Sequence, residues 1–177
     1  MRIVITGGPG YGKSSLIEEL KRRGFNTKEE VAREIITREK KKTGKLIQIK
    51  DRFNFQKKVL REQIKQFKDA KGLTFFDRGI PDGMAYLIFS GIKPPKEFAD
   101  AIKRYRYDFV FFVEKLPHHE NDGIREDAVS AAKVHKILKK VYRDAGYKII
   151  CLPPVNIEKR ADLVLSHLKI MKKAKTL

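Results

Sequence analysis

The sequence predicts an α/β fold in which one parallel β-sheet is covered by helices on both faces. Short apolar runs alternate along the chain with longer amphipathic stretches, which is the pattern of fully buried strands separated by helices. The first apolar run, residues 2–6, leads directly into the glycine-rich sequence G-G-P-G-Y-G-K-S at residues 7–14. A length of 177 residues with 41% hydrophobic residues suits a single domain over residues 1–177 with one sizeable core.

Each strand and helix is predicted from the period of its apolar residues and from the residues at its ends. We expect strands at residues 2–6, 25–28, 73–77, 109–113 and 147–152. We expect helices at residues 13–23, 29–41, 51–70, 80–89, 96–105, 126–145 and 157–173. Asp51 is a typical N-cap for the third helix, and Arg78-Gly79 ends the third strand. Right-handed crossovers then place the carboxyl end of every strand at one edge of the sheet, where ligands bind.

The composition limits the class of protein. The apolar runs are far shorter than the ~20 residues that cross a bilayer, and the chain enters a strand at once, so we expect a cytoplasmic protein without a signal peptide. The single cysteine, Cys151, lies in an apolar run and is predicted to be a small buried residue. The net charge of +18 attracts polyanions, and we interpret it as a solvated basic surface because the basic residues are scattered along helices.

The glycine-rich sequence matches G-x-x-x-x-G-K-[ST], which is typical of a loop that holds the phosphates of a nucleoside triphosphate. Its glycines adopt backbone angles that let main-chain N–H groups point at an anion, and the helix that follows adds a favourable dipole. Lys13 is predicted to reach the β- and γ-phosphates, and the Ser14 hydroxyl to bind the Mg²⁺ of ATP or GTP. The residues predicted to bind the nucleotide are Gly8, Pro9, Gly10, Tyr11, Gly12, Lys13, Ser14 and Ser15.

Asp77 is the last residue of the third predicted strand and Arg78 follows it, at the same edge of the sheet. Asp77 is predicted to hold Mg²⁺ through its waters, or to take the proton of an attacking hydroxyl group as a general base. The alternative for Asp77 is the N-cap of the next helix. Arg78 is predicted to contact a phosphate, and its alternative is a surface ion pair.

These two motifs, together with Asp-Gly-Ile-Arg at residues 122–125, resemble the P-loop nucleoside and nucleotide kinases. Over nearly the whole chain the sequence is similar to the AAA_28-type P-loop family, including sequences like the ribosylnicotinamide kinase domain of NAD-regulator proteins. The matching segments are EVAREII at 30–36, FDRGIPD at 76–82 and YRYD at 105–108. The resemblance implies a three-layer P-loop NTPase fold whose five-stranded parallel sheet has the order 2-3-1-4-5.

The resemblance also implies which residues contact a phosphate acceptor, namely Glu30, Arg33, Arg78 and Asp82. From the residues alone, Glu30 and Arg33 could equally form an i, i+3 surface pair, and Asp82 could be a solvated helix residue. Residues 115–125 resemble a short lid, from which Arg125 would stabilise the transferring γ-phosphate.

Two functions follow from these residues. The first is a phosphotransferase that moves a γ-phosphate to a small nucleoside- or nucleotide-like acceptor, with Lys13, Asp77 and Arg125 as catalytic residues. The second is a nucleotide-dependent NTPase or binding protein whose basic surface binds an anionic partner such as phospholipid or RNA. The absence of an Asn-Lys-x-Asp sequence argues against a guanine-specific switch GTPase and leaves ATP and GTP both open.

Overall fold

The computed structural model describes residues 1–44, 51–115 and 128–174. Within these ranges the strands are Arg2–Thr6 (β1), Asn26–Lys28 (β2), Thr74–Asp77 (β3), Phe109–Val113 (β4) and Ile149–Leu152 (β5). The helices are Lys13–Arg22 (α1), Val31–Thr43 (α2), Arg52–Asp69 (α3), Ile80–Phe89 (α4), Lys96–Arg104 (α5), Ala128–Asp144 (α6) and Ile157–Ala174 (α7). Their ends lie within two residues of those predicted. None of the helices in these ranges is both long and apolar enough to span a membrane.

All of the paired strands run parallel, and the sheet order is β2-β3-β1-β4-β5, as the resemblance implied. Because β1 lies between β3 and β4, Ile5 pairs with Asp77 on one side and Thr6 pairs with Phe112 on the other. The carboxyl ends of these three strands therefore lie next to one another. This edge holds the glycine-rich loop, which follows β1, and the Asp-Arg-Gly sequence, which begins at Asp77, the last residue of β3.

Alternate residues of the inner strands enter two cores on opposite faces of the sheet. In β1, Ile3 and Ile5 belong to the core that α1 and α7 cover. Val4, between them, enters the core that α3 to α6 cover. Burial on both faces explains why these strands are apolar throughout rather than alternating. A third cluster, which includes Val31 and Val59, packs α2 against α3 beside the carboxyl edge.

The prediction that Cys151 is buried was wrong, because its side chain is exposed. Among the described residues β5 pairs only with β4, so it is an edge strand whose outer side no described strand covers. Leu152 is buried, whereas Ile149 and Ile150 are only partly covered. An apolar run predicts a strand well, but it does not tell an edge strand from a central one.

Candidate functional site

The loop between β1 and α1 contains three glycines with a positive φ, namely Gly7, Gly10 and Gly12. Gly7 has φ 141°, and a Cβ atom there would lie 2.6 Å from the main-chain oxygen of Val113. Gly12, the N-cap of α1, has φ 85° in the left-handed region. α1 begins directly after it at Lys13, so the unpaired N–H groups of its first turn lie at the carboxyl edge of the sheet.

Lys13 is buried, and its ammonium group donates a hydrogen bond to the main-chain oxygen of Gly8 at 2.7 Å. Burial, followed by the charge of Arg78, lowers the pKa of Lys13 to about 7, although Asp77 and Glu30 oppose the shift. A phosphate group next to Lys13 would favour its charged form, since an anion stabilises a nearby ammonium. The side chain is thus placed for an anion that would restore its full charge.

Arg160 holds the main chain of the loop through Tyr11, and it was not predicted from the sequence. This α7 residue is fully buried, and its guanidinium donates to the main-chain oxygens of Tyr11 at 2.8 Å, Glu114 at 2.8 Å and Pro153 at 3.0 Å. The ring of Tyr11 is itself buried, so the contribution of Tyr11 to the loop surface comes from its main chain. Nothing in the sequence distinguishes Arg160 from the other basic residues of an amphipathic helix.

Ser14 and Asp77 meet at this edge of the sheet. The Ser14 hydroxyl donates to Asp77 Oδ2 at 2.8 Å, while Oδ1 is buried and has no hydrogen-bond partner among the described residues. Burial and the charge of Glu30 raise the pKa of Asp77, against the effect of Lys13 and Arg78. A hydroxyl oxygen and an unpartnered carboxylate oxygen are ligands that suit Mg²⁺. The alternative of an N-cap was wrong, because Gly79 occupies that position in α4.

Arg78 has an unusual backbone for a non-glycine residue, with φ 69° in the left-handed region. This conformation turns its side chain inward, where Nε donates to Glu30 Oε1 at 2.9 Å and Nη1 donates to Asp82 Oδ1 at 3.1 Å. Only 7% of the Arg78 side chain is exposed. The alternative of a surface ion pair was therefore wrong, and Arg78 is instead the centre of a buried ion network.

Asp82 connects three parts of the site. Its Oδ1 also accepts from the Thr6 hydroxyl at 2.9 Å, and its Oδ2 accepts from the Gly79 N–H at 3.0 Å and the Tyr142 hydroxyl at 2.6 Å. The residue is buried, so its interpretation as a solvated helix residue was wrong. Contact of Asp82 with an acceptor stays a prediction, and its observed contacts join β1, α4 and α6.

Glu30 lies at the N-cap of α2, and its carboxylate pairs with Arg78 rather than with the exposed Arg33. The alternative of a surface pair between Glu30 and Arg33 was wrong. Burial raises the pKa of Glu30, but the charges of Arg78, Lys13 and Arg33 outweigh it, so that the net pKa is lowered. Glu30 is therefore held as a carboxylate beside Lys13 and Asp77.

Two cavities adjoin Glu30. A wide one of about 560 Å³ lies between α1 and α2 and is lined by Ser14, Asp77 and Arg33, among others. A smaller one of about 160 Å³ lies between α2, α3 and α4. Its lining includes Glu30, Arg78 and Asp82, with Arg52, Phe55, Gln56, Gln63 and Tyr86. The five residues of this last group were missed, since their spacing on α3 and α4 resembles that of ordinary amphipathic helices.

Gln63 gives the smaller cavity a polar wall. Its Nε2 donates to the main-chain oxygen of Gly79 at 3.0 Å, which fixes the orientation of the amide. Its Oε1 is buried without a hydrogen-bond partner in the described part of the chain. Because a buried acceptor without a partner is costly, Oε1 is a place where a bound molecule could donate a hydrogen bond.

The other predicted site residues fall into two groups. Gly8, Pro9 and Gly10 lie in the loop, and Ser15 lies on the exposed side of the first turn of α1. Arg125 and residues 116–125 of the predicted lid, which was expected over 115–125, lie outside the described residues. The described site therefore consists of the loop, the ion network around Arg78 and the two cavities.

Comparison with known proteins supports the same architecture. The family model AAA_28, an AAA domain, matches residues 2–160. No curated protein matches the chain. Among solved structures, a deoxyadenosine kinase from M. mycoides with the products dCMP and dCDP bound is 16% identical, with a TM-score of 0.66 over 97% of this chain and 100% of its own.

Two further solved structures have similar folds. Thymidylate kinase from Ehrlichia chaffeensis is 12% identical, with a TM-score of 0.68 over 95% of this chain and 98% of its own. NadR protein in complex with NR is 19% identical, with a TM-score of 0.65 over 85% of this chain and 45% of its own. At these identities the comparisons show a shared fold.

Proposed function

Because the chain belongs to the AAA_28 family and has a P-loop kinase-like fold, we propose that it transfers the γ-phosphate of ATP or GTP to a small nucleoside- or nucleotide-like acceptor. The observation that carries the proposal is the position of Glu30 and Arg78. Both line the smaller cavity, and their ion pair lies beside Lys13 and Asp77 at the glycine-rich loop. A donor phosphate in the loop and an acceptor in the cavity would meet at this pair.

On the donor side, the loop N–H groups and Lys13 bind the phosphates of the nucleotide. Ser14 Oγ and Asp77 Oδ1 are the oxygens that would hold Mg²⁺, which when bound neutralises charge on the β- and γ-phosphate oxygens. Among the described residues, no group of three or more His, Cys, Asp or Glu side chains could hold a metal ion. Phosphate and water oxygens would complete this coordination.

On the acceptor side, the smaller cavity has aromatic and amide walls. Phe55 and Tyr86 offer ring surfaces, and Gln56 and Gln63 offer amide groups. Flat heteroaromatic groups with polar edges suit such a lining, because stacking and hydrogen bonding use different parts of the ligand. A nucleobase or a related pyridine ring has this character.

The two carboxylates of the site, those of Glu30 and Asp77, suit different roles. Glu30 lines both cavities and remains ionised, which suits it to orient the hydroxyl and take its proton. Asp77 adjoins the wide cavity beside Ser14, which suits it to hold Mg²⁺ through Oδ1. Arg78 then places positive charge next to the transferring phosphoryl group.

Phosphate transfer to a panel of acceptors tests the proposal. The protein is incubated with Mg²⁺ and ATP or GTP, alone and with nucleosides, nucleoside monophosphates and nicotinamide riboside, and the products are resolved by mass. We expect one acceptor class to gain a phosphate and to accelerate release of the nucleoside diphosphate, with no transfer by Lys13→Ala. Slow release that is equal with and without every acceptor would overturn the proposal in favour of a nucleotide-dependent binding protein.

A further inference from the structure

A histidine outside the glycine-rich sequence contacts its loop directly. His135 lies on α6, and its Nδ1 accepts a hydrogen bond from the main-chain N–H of Gly8 at 3.2 Å. Its other ring nitrogen, Nε2, lies 3.1 Å from Glu114 Oε2 at the end of β4. Lys139, one turn further along α6, donates to Glu114 Oε1 at 2.9 Å. His135 therefore connects the Glu114–Lys139 ion pair to the loop.

The contacts determine which ring nitrogen carries the proton. The Gly8 N–H is a donor, so Nδ1 must be the unprotonated nitrogen that accepts from it. The proton of the neutral ring then lies on Nε2 and is donated to Glu114. This assignment follows from the hydrogen-bond partners alone, and only the neutral form of His135 satisfies both.

The ring of His135 is also fixed by packing. It lies between two aromatic rings, with centroid distances of 4.7 Å to Phe112 and 5.0 Å to Tyr11. Only 13% of the His135 side chain is exposed. Because Tyr11 belongs to the loop and Phe112 to β4, the imidazole cannot rotate away from Gly8 without moving one of these rings.

Gly8 is held at both of its main-chain polar groups. Its N–H donates to His135, and its carbonyl oxygen accepts from Lys13 Nζ at 2.7 Å. A Cβ atom at residue 8 would lie 2.9 Å from the Tyr11 ring and 3.2 Å from the main-chain oxygen of Ala131. The position of Gly8 therefore determines where the Lys13 ammonium group lies.

We propose that His135 is a positioning residue that holds Gly8, and through Gly8 the ammonium group of Lys13, in the geometry that binds nucleotide phosphates. The inference rests on the nucleotide binding of the proposed function. As a positioning residue, His135 does not contact the phosphates itself. It acts through one loop peptide, and a substitution that keeps the acceptor for Gly8 should keep the affinity.

The charge state of His135 bears on the same contact. The titratable groups that face it are Glu114 from β4, Lys139 from α6, and Lys13 and Tyr11 from the loop side. Burial lowers the pKa of His135, against the effect of Glu114. Protonation of His135 would place an Nδ1–H donor opposite the Gly8 N–H donor. The hydrogen bond between Gly8 and His135 is therefore present above the lowered pKa of His135 and is lost as the pH falls through that pKa.

Two substitutions separate the contacts of His135. His135→Asn puts an amide oxygen near the position of Nδ1 and can still accept from Gly8, whereas His135→Gln puts its amide near Nε2 and can still contact Glu114. Nucleotide dissociation constants are measured by calorimetry with Mg-ATP and with Mg-GTP at pH 7.5, together with the melting temperature without nucleotide. We expect about fivefold weaker binding for His135→Gln and nearly wild-type binding for His135→Asn, which is the effect of one hydrogen bond.

The outcomes distinguish the two proposals. Binding by the wild-type protein, with equal affinities for His135→Asn and His135→Gln, would overturn the positioning role alone. The positioning role would also be overturned if the loss of affinity in each variant simply paralleled the loss of its melting temperature. No binding by the wild-type protein, with Lys13→Ala indistinguishable from it, would overturn nucleotide binding and with it this inference. As a second readout, wild-type affinity should fall more than that of His135→Asn as the pH is lowered from 7.5 to well below 6.5, because burial lowers the pKa of His135 from that value.

Discussion

The hydroxyl of Ser14 donates a hydrogen bond to Asp77 Oδ2 at 2.8 Å, which joins the first turn of α1 to the end of β3. The bond occupies one carboxylate oxygen and leaves Oδ1 buried without a partner in the described parts of the chain. A residue of the glycine-rich motif and a residue 63 positions away thus present two oxygens side by side. The first prediction follows from this pair.

Asp77→Asn should reduce turnover by about 100-fold or more, because the amide removes the negative charge that would stabilise Mg²⁺ beside Ser14. Nucleotide affinity without Mg²⁺ should change little, since the loop and Lys13 remain. Steady-state kinetics and calorimetry measure the two effects. Asp69→Asn, on an exposed position at the end of α3, is the control and should leave both unchanged. Unchanged turnover in Asp77→Asn would remove this residue from the mechanism.

Glu30→Gln should lower kcat by about 100-fold while keeping nucleotide affinity, because the amide preserves shape but cannot take the acceptor proton. Arg78 keeps its ion pair with Asp82, so the network should not collapse. The matched control is Glu29→Gln, which removes a carboxylate from the neighbouring exposed position. Equal kinetics of the two variants would contradict the role of Glu30.

Nucleotide binding at pH 8.5 should take up close to one proton. The pKa of Lys13 is about 7 in the free protein, because burial and Arg78 lower it, so most of the Lys13 side chains are neutral at pH 8.5. Bound phosphates favour the ammonium form, and affinity should therefore fall as the pH rises above about 7, by up to about tenfold per pH unit. Calorimetry in HEPES and in Tris measures the uptake, because the two buffers differ in ionisation enthalpy.

The control for this measurement is Lys13→Met, which has no ammonium group to restore. Any residual binding by this variant should give the same heat in both buffers. Identical heats for the wild-type protein in HEPES and Tris would show that Lys13 is already protonated before the nucleotide binds. That result would contradict the pKa shift that its burial produces.

Arg78→Gly should be more stable than Arg78→Ala by about 1 kcal/mol, because residue 78 has φ 69°, where an alanine Cβ is strained and glycine is not. Both variants lose the same guanidinium, so the difference reports the backbone alone. Urea denaturation measures it. The exposed residue Arg61, in the middle of α3, gives a control of opposite sign, since the alanine variant should be more stable than the glycine variant there by about 1 kcal/mol. The same order at both positions would contradict the strain.

Arg160→Ala should reduce the free energy of unfolding by about 3 kcal/mol, because the buried main-chain oxygen of Tyr11 and the partly buried ones of Glu114 and Pro153 lose their shared donor. The loop should also bind nucleotide more weakly, since Tyr11 loses its anchor. Chemical denaturation and calorimetry measure the two changes. Lys159→Ala, at the exposed preceding position on α7, should be nearly neutral. A loss of similar size in both variants would show that Arg160 is not a specific anchor.

Local patterns predicted most of the fold because they depend on neighbouring residues. The alternation of apolar runs and amphipathic stretches determined the strands and helices of the described residues, with ends wrong by no more than two residues. The spacing of glycines, Lys13 and Ser14 placed the loop, since its geometry depends on eight consecutive residues. The order of the strands came from the family resemblance rather than from any local pattern.

The partners of charged residues were not predicted, because they depend on how separate elements pack. For Glu30, one alternative from the sequence was an ion pair with Arg33, three residues away. In the structure Glu30 pairs with Arg78, 48 residues away. The alternative for Asp82 was a solvated helix residue, but Asp82 is buried. The packing of α4 against α6 brings the Tyr142 hydroxyl to its carboxylate. A carboxylate on a helix carries no local sign of which face the sheet will cover.

By itself, the sequence determined a parallel α/β fold with a glycine-rich loop after its first strand, because periodicity and a glycine motif act over a few residues. The tertiary structure decided what surrounds that loop. His135 and Arg160 reach it from 127 and 149 residues away, and Cys151 is exposed because β5 lies at the edge of the sheet. Such contacts arise only when distant elements pack, since burial and hydrogen bonding depend on three-dimensional neighbours.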